Sequence, residues 1–287
     1  MTIAAGFRCD NGILIGADSE IGHGNVKRHE EKLFVLPDGP SGTSDYGVVL
    51  TGAGDFAAIS NCAQLLRESY FKSCDGSLSG VVGEIRAFAT SKAYREVASK
   101  VSPYGEPITE LIIAVRASDE QTGLFHLQGL NLYPIREYVA LGSGSETALF
   151  VSKWLYRPSM TIQEFAPIAL QVFRAAKGQN VGVGGETKMY RLYNTGHGSG
   201  EPIHSGWSDR EFLWGLHDLL ANVIECFVQT SQTDDRFEKV LDEFTGKARE
   251  VRSGFVGDKN SREFISAIRS NLESTRADSS PRRPSQD

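Results

Sequence analysis

Long apolar runs and paired cysteines are missing from this chain of 287 residues. Nowhere do 18 apolar residues follow one another, and Arg8 interrupts the amino-terminal apolar run before it reaches the length of a secretion signal. The four cysteines include no C-x-x-C pair and are too few to staple a chain of this length. We therefore expect free thiols, a cytoplasmic location and no association with a membrane.

Basic clusters and metal-ligand motifs are also missing. The formal net charge is −6 and no group of five or more Lys or Arg residues occurs, whereas phosphate binding requires a basic face. The six histidines form neither an H-x-x-x-H nor an H-E-x-x-H pattern. The sequence accordingly predicts no nucleic-acid partner, no metal and no cofactor.

The composition that remains is that of a folded soluble protein, with 40% hydrophobic and 23% charged residues. The length fits one domain of about 200 residues with an appendage better than two full domains. We predict a first domain over residues 2–195, a helical extension over 196–275 and a disordered tail over 276–287, since the tail has nothing apolar to bury.

Strand patterns and helix patterns alternate twice along the first domain. The Asn11-Gly12 step predicts a β-hairpin between 3–8 and 12–17. Further strands are predicted at 32–36, 46–50, 111–115, 124–128, 135–141 and 188–193, and helices at 59–70, 81–97, 145–156 and 162–177. We expect the second strand group to form a second sheet. Two sheets packed face to face, with helices on both outer faces, give a four-layer α/β sandwich.

The predicted extension begins after a glycine-rich linker, 196–200, and carries three apolar stripes with helical spacing. The stripes run from Phe212 to Val228, from Phe237 to Val251 and from Phe264 to Leu272. Two interpretations stay open, because such stripes could cap the chain's own core or contact a neighbouring subunit.

Three residues near the amino end predict a chemical function together, although each alone is ordinary. Thr2 directly follows the initiator Met, Asp18 ends the second strand and Lys32 starts the third. Removal of Met1, the usual processing before a small second residue, would leave Thr2 with its own α-amine beside its hydroxyl. The pKa of an α-amine, about 7.7–8.0, suits a general base near neutral pH. A cationic lysine, kept charged by an aspartate, would lower that pKa and stabilise charge on Oγ.

A short glycine motif supplies a candidate for stabilising the oxyanion of such a reaction. Thr51-Gly52-Ala53-Gly54 lies where a strand passes into a helix, so a backbone N–H of Gly52 could face a reacting carbonyl oxygen. A tight turn with no chemical role would explain the same glycines.

With these residues in place, the sequence resembles the β-type subunits of the proteasome and their simpler bacterial relative, the ring peptidase fed by an ATPase. The resemblance covers about residues 2–194. The matching segments are Thr2, Gly12-Ile13-Leu14-Ile15-Gly16-Ala17-Asp18-Ser19, Lys32-Leu33-Phe34, Thr51-Gly52-Ala53-Gly54, Gly142-Ser143-Gly144-Ser145, Met160-Thr161 with Glu164, and Gly184-Gly185.

The resemblance implies the four-layer αββα fold of the N-terminal-nucleophile hydrolases, followed here by the helical extension. It also implies a threonine peptidase that self-associates into rings and cleaves unfolded polypeptides, and it allows an ATPase or another protein as a partner. Carried over to this chain, the resemblance implies that Thr2 is the nucleophile, Asp18 and Lys32 activate it, Gly52 is the oxyanion donor and Ser143 is a supporting hydroxyl near the α-amine.

Departures from the family pattern keep two other functions open. Active β subunits have an aspartate and a serine where this chain has Asn180 and Val183, and an arginine where it has Glu20. The bacterial relative also lacks that aspartate and serine. One alternative is a non-catalytic ring subunit, and another is an amidohydrolase that acts on a small molecule with the same fold.

Overall fold

The computed structural model describes residues 2–23, 26–36, 46–71, 74, 76–98, 109–180, 183–194, 201–203 and 234–256. The chain divides into two compact units, Met1–Ser205 and Gly206–Asp287.

The first unit is built from short strands and helices in alternation. Its strands are β1 (Ala4–Cys9), β2 (Gly12–Asp18), β3 (Glu20–His23), β4 (Val26–His29), β5 (Phe34–Leu36), β6 (Gly47–Gly54), β7 (Thr109–Arg116), β8 (Thr122–Gln128), β9 (Asn131–Ile135), β10 (Tyr138–Leu141), β11 (Thr187–Tyr193) and β12 (Glu201–Ile203). Its helices are α1 (Phe56–Leu65), which continues as a π-helical turn over Leu66–Tyr70, then α2 (Leu78–Thr90), α3 (Lys92–Ala98), α4 (Ser145–Leu155) and α5 (Ile162–Gln179).

Two five-stranded sheets and one separate hairpin organise these strands. The first sheet has the order β10-β1-β2-β11-β12 and the second has the order β5-β6-β7-β8-β9, while β3 pairs with β4. Neighbouring strands are antiparallel throughout. The predicted Asn11-Gly12 turn joins β1 to β2, and Gly12 has φ +152 there, a value that favours glycine.

Three apolar clusters form the layers of the first unit. The middle cluster takes residues from both sheets, among them Ile13, Ile15, Ile112 and Leu124, so the sheets pack face to face. A second cluster joins α1 and α2 to the outer face of the second sheet. A third joins α4 and α5 to the outer face of the first sheet. The predicted four-layer α/β sandwich is therefore confirmed.

The strand assignment differs from the expected one at three places. The second strand group does not form its own sheet, because β7, β8 and β9 extend the sheet that β5 and β6 begin. The single strand predicted at 135–141 is two strands, since β9 ends at Ile135 and β10 pairs with β1 in the other sheet. The hairpin of β3 and β4 was not predicted, because its short polar segments show no apolar alternation.

The helix α5 begins where the sequence predicts. Thr161 accepts a hydrogen bond from the backbone N–H of Glu164, and the Glu164 carboxylate accepts one from the backbone N–H of Thr161, at 2.9 Å. This reciprocal pair is the predicted capping box. It fixes the start of the helix that packs behind β2.

The division between the two units lies beyond the expected boundary at residues 195 and 196. The strand β12 pairs with β11 and so belongs to the first sheet, which extends the first unit to Ser205. The assignment of three domains stays a prediction.

The second unit is described over one helix, α6 (Asp234–Val256), which carries the stripe predicted from Phe237 to Val251. The other two stripes, the glycine-rich linker and the tail lie outside the described residues. Within the described ranges, no helix combines the length and the apolar character needed to cross a membrane.

Candidate active site

The hydroxyl of Thr2 lies between an aspartate and a lysine. Thr2 lies two residues before the start of β1, and it is 6% exposed. Its Oγ1 donates a hydrogen bond to Oδ1 of Asp18 and accepts one from Nζ of Lys32 at 2.6 Å. The structure thus brings together the three residues that the sequence singled out at positions 2, 18 and 32.

The carboxylate of Asp18 is held by four donors. Besides the Thr2 hydroxyl, its Oδ1 accepts the backbone N–H of Ile3 at 3.0 Å and Nζ of Lys32 at 2.8 Å. Its Oδ2 accepts the backbone N–H of Gly184 at 3.2 Å. Because Asp18 also pairs through its own backbone N–H with the carbonyl of Ile3, at 3.0 Å, its side chain has a fixed direction toward Thr2.

Lys32 uses all three of its N–H donors. Nζ donates to Oγ1 of Thr2, to Oδ1 of Asp18 and to the backbone carbonyl of Glu20. Three acceptors match an ammonium group, which has three donors and no acceptor. Burial lowers the pKa of Lys32 below its usual value, and the neighbouring carboxylates of Asp18 and Glu20 offset part of this effect.

The carbonyl side of Thr2 is held by the turn after β10. The backbone N–H of Gly144 donates to the Thr2 carbonyl at 3.2 Å, and Oγ of Ser143 donates to the same oxygen at 3.4 Å. Gly142 has φ +90, and a Cβ there would collide with the Thr2 carbonyl. The Ser143 side chain therefore contacts the backbone of Thr2, and Gly142 is required by both conformation and space.

The strand register relates Gly52 to Lys32. In the pairing of β5 with β6, Phe34 lies opposite Leu50. Continued by two residues, this register sets Lys32 opposite Gly52, and adjacent strands lie about 4.7–4.9 Å apart. A Cβ on Gly52 would collide with the backbone carbonyl of Glu110 in β7. The motif ends β6 just before α1, as expected.

The sequence did not predict the backbone groups, or the acidic residue Glu20, that surround Thr2, Asp18 and Lys32. The N–H of Gly184 and the carbonyl of Glu20 are contributed by main chain, so no side-chain pattern could reveal them. Glu20 itself was noted only as a departure. Of the two other departures, Asn180 donates from its side chain to the carbonyl of Ala176 at 2.8 Å, and Val183 is buried in the apolar cluster behind the first sheet.

The arrangement suits nucleophilic attack by a hydroxyl. One acceptor and one cationic donor contact the same oxygen, which orients its proton and stabilises negative charge that develops on it. In the full chain the nitrogen of Thr2 is an amide bonded to Met1, so an amine base at this position requires removal of Met1. Among the described residues, no group of three or more His, Cys, Asp or Glu side chains could hold a metal ion.

Comparisons with known proteins agree on a family and on a fold. The family model for the proteasome subunit matches residues 2–192. The proteasome subunit beta 2 of Sulfurisphaera tokodaii is 26% identical over 196 residues, which cover 68% of this chain and 88% of that protein.

Similar solved structures carry the name Anbu. The Anbu protein of Yersinia bercovieri, described as an ancestral beta-subunit, matches with a TM-score of 0.64 at 15% identity, covering 81% of this chain and 100% of that one. The helical assembly of the Anbu complex from Pseudomonas aeruginosa matches with a TM-score of 0.59 at 16% identity, covering 77% of this chain and 96% of that one. At such identities the likeness establishes the fold alone.

Proposed function

The chain belongs to the proteasome subunit family, and from this premise we propose that it is a threonine peptidase whose nucleophile is Thr2. The observation that carries the proposal is the position of the Thr2 hydroxyl, which contacts Asp18 and Lys32 in a nearly buried site. A threonine hydroxyl close to the start of a strand does not require both an anionic acceptor and a cationic donor for folding.

The proposed reaction begins once Met1 has been removed. The free α-amine of Thr2 takes the proton of Oγ1, and Oγ1 attacks the carbonyl carbon of the peptide bond. The oxyanion that forms faces the N–H of Gly52, while Lys32 stabilises charge at Oγ1. The C–N bond then breaks as the leaving amine takes the proton from the α-ammonium group. Water hydrolyses the remaining ester and restores the hydroxyl.

The proposal is tested by one labelling experiment on the purified full-length protein. Intact-mass measurement reports whether Met1 is absent. A short peptide that carries an acylating electrophile should then add once to each chain, and peptide mapping should find the adduct on Thr2. A chain that lacks Met1 and folds but takes no label on Thr2 would contradict the proposal.

A second function is favoured by the side chains at positions 180 and 183. Asn180 is turned back toward its own helix and Val183 is apolar and 5% exposed, so these positions offer the Thr2 region neither the acceptor of a carboxylate nor the hydroxyl of a serine. A subunit that keeps the fold only for assembly would show these features. Retention of Met1 would support this alternative. A small-molecule amidohydrolase would instead take the label and cleave amides but not peptides.

We also propose that the chain assembles with copies of itself in the cytoplasm. Membership of the proteasome family supports this, because a peptidase with an open amino-terminal nucleophile needs its site enclosed. The number of subunits in the assembly, and an ATPase or another protein as a partner, follow only from the family resemblance.

A further inference from the structure

The residue that follows Asp18, Ser19, is bonded twice to the segment before β11. Ser19 lies between β2 and β3 and is 5% exposed. Its backbone N–H donates to the carbonyl of Glu186 at 2.9 Å, and its Oγ accepts the backbone N–H of the same residue at 2.8 Å. The hydroxyl also lies 3.4 Å from Nδ1 of His29, to which it can donate its own proton when that nitrogen carries none. Ser19 therefore binds both main-chain polar groups of Glu186.

The chain bends at residues 184–186, and this bend is shaped around the Ser19 hydroxyl. Gly185 has φ +70, a conformation that favours glycine. A Cβ on Gly185 would collide with Oγ of Ser19, so the glycine lets the hydroxyl approach the main chain. From α5, Nζ of Lys177 donates to the carbonyl of Gly185 at 2.8 Å and to Oγ1 of Thr187 at 2.6 Å. Side chains from β2's end and from α5 thus hold the 184–186 bend together.

The 184–186 bend contacts the candidate active site through Gly184. The N–H of Gly184 donates to Oδ2 of Asp18 at 3.2 Å. The other oxygen of this carboxylate, Oδ1, accepts the hydroxyl of Thr2 and Nζ of Lys32. An aspartate side chain by itself restricts the rotation of its carboxylate only broadly. The hydrogen bond from Gly184 therefore limits that rotation and keeps Oδ1 directed at Thr2 and Lys32.

Regular pairing between β2 and β11 stops where the 184–186 bend begins. The last paired residues are Asp18 and Thr187. The bend is therefore positioned by the individual hydrogen bonds described above. Segments at the ends of a sheet open to water more readily than its interior, so loss of one of these bonds should raise the frequency of opening.

We propose that Ser19 is a positioning residue that fixes the 184–186 bend and, through it, the rotation of the Asp18 carboxylate. Ser19 acts through Glu186, whose N–H it accepts, and through Gly184, whose N–H reaches Asp18. The part of Ser19 in catalysis rests on the proposed function of Thr2. The coupling between the two backbone N–H groups does not.

The test asks which backbone amides lose protection in Ser19→Ala. Amide hydrogen exchange of the full-length protein is followed by mass spectrometry, with fragmentation that resolves Gly184 and Glu186 singly. Loss of the Oγ acceptor should accelerate exchange at Glu186 directly, and the proposal requires Gly184 to exchange faster as well, each by about threefold or more.

Ser91→Ala is the matched control for this substitution. Oγ of Ser91 also accepts a backbone N–H, that of Tyr94 at 3.2 Å, but it does so at the start of α3, outside the second sheet. The control should leave exchange at Gly184 and Glu186 unchanged. An unchanged Gly184 amide in Ser19→Ala would overturn the proposal, whatever the Glu186 amide does, because Ser19 would then serve Glu186 alone.

The kinetic part of the test separates positioning from substrate binding. For a peptide substrate, Ser19→Ala should lower kcat about tenfold and leave KM within about twofold of wild type, because the carboxylate acts on the attacking hydroxyl. Ser19→Thr keeps the hydroxyl, so it should restore kcat to within about threefold of wild type. Wild-type kcat in Ser19→Ala, with both amides exchanging faster, would also overturn the positioning role. A wild-type protein that cleaves no peptide, while both amides respond to Ser19→Ala, would contradict the proposed function alone.

A second variant keeps the test decisive if Ser19→Ala does not fold. Ser19→Cys replaces the hydroxyl by a thiol of similar shape that is only a weak acceptor. We expect both amides to exchange faster than in wild type, with kcat lowered about threefold. Wild-type exchange at Gly184 in Ser19→Cys would again overturn the proposal.

Discussion

The hydroxyl of Thr2 is the atom on which the proposed chemistry depends. Thr2→Ala removes Oγ1 but little buried surface, so the protein should fold while peptidase activity falls by about a thousandfold or more. Thr2→Ser should keep part of the activity, because it retains the hydroxyl and loses only the methyl that restricts χ1. Turnover is measured with a fluorogenic peptide and folding by thermal melting. Near-normal turnover in Thr2→Ala would exclude the mechanism.

Substitutions of Lys32 test whether the site needs only a positive charge or also the geometry of an ammonium group. Lys32→Ala should lower kcat by about a hundredfold, since it removes the donor to Oγ1. Lys32→Arg should be nearly as impaired, because a planar guanidinium cannot direct three donors at the acceptors on Thr2, Asp18 and Glu20. Asp18→Asn should act in the same direction. Measurement of kcat for the three variants tests this role. Wild-type values of kcat would mean that Asp18 and Lys32 are ordinary polar residues at strand ends with no part in catalysis.

Among the strands, β7 and β8 share a side-chain hydrogen bond between His126 and Glu110 that predicts acid sensitivity. In this pair His126 contacts Oε2 of Glu110 at 3.0 Å, and the Gln128 side chain donates to Oε1 at 2.9 Å. The hydrogen bond with His126 is the main cause that lowers the pKa of Glu110. The stabilisation is therefore present above the usual carboxyl pKa, about 4.3, and is lost as pH falls through the lowered value.

Glu110→Gln should reduce the free energy of unfolding by about 1 kcal/mol at pH 7. The difference from wild type should shrink below about pH 4, where the wild-type carboxyl becomes protonated. Urea denaturation at both pH values measures it, with Glu120→Gln in the exposed turn before β8 as the control. A constant difference across pH would show that the carboxylate charge has no part in it.

The sequence predicted the elements whose signals are local. The Asn11-Gly12 step and the capping box of Thr161 with Glu164 each act within a few residues, and both are present. The pairing of β10 with β1 is different, because these strands are separated by most of the first unit and no local pattern specifies the partner. The break between β9 and β10 was missed for the same reason.

The candidate site was predictable where side chains carry it. Thr2, Asp18 and Lys32 could be found from their order along the chain. Gly142 and Gly184 act through a carbonyl contact and an N–H, and their role appears only when distant segments are brought together. Ser143 contacts the carbonyl of Thr2, whereas the sequence placed it near the α-amine. Its role stays a prediction.

At the scale of the whole molecule, we expect a homo-oligomer of at least six subunits. Closed rings would keep the Thr2 sites away from folded cellular proteins. Light scattering on the full-length protein measures the mass, and a monomer would contradict the ring. A chain truncated after Ser205 keeps β12 in the first sheet and tests whether the second unit contributes to assembly. An unchanged number of subunits would show that the second unit does not contribute to assembly.

An apolar surface on α4 is a candidate contact between copies. Phe150 is 64% and Trp154 is 66% exposed, and their rings lie 6.3 Å apart at the centroids. A second α4 in antiparallel orientation would also bring Glu146 of one copy near Lys153 of the other. Phe150→Glu should therefore lower the mass of the assembly in solution. Leu130→Glu is the control, because Leu130 is an exposed leucine in the turn between β8 and β9, and this substitution should leave the mass unchanged. Equal masses for both variants would exclude this face.

The inner position of β1 has a practical consequence for how the protein is produced. This strand is paired on both sides, with Ala4 opposite Leu141 and opposite Ala17, so its register cannot slip by one residue without turning every side chain to the other face. A shift of β1 along its neighbours therefore cannot place a residue other than Thr2 beside Asp18 and Lys32 when extra residues precede Thr2. An affinity tag fused to the amino end should therefore give a latent zymogen, which a protease that cuts directly before Thr2 would switch on.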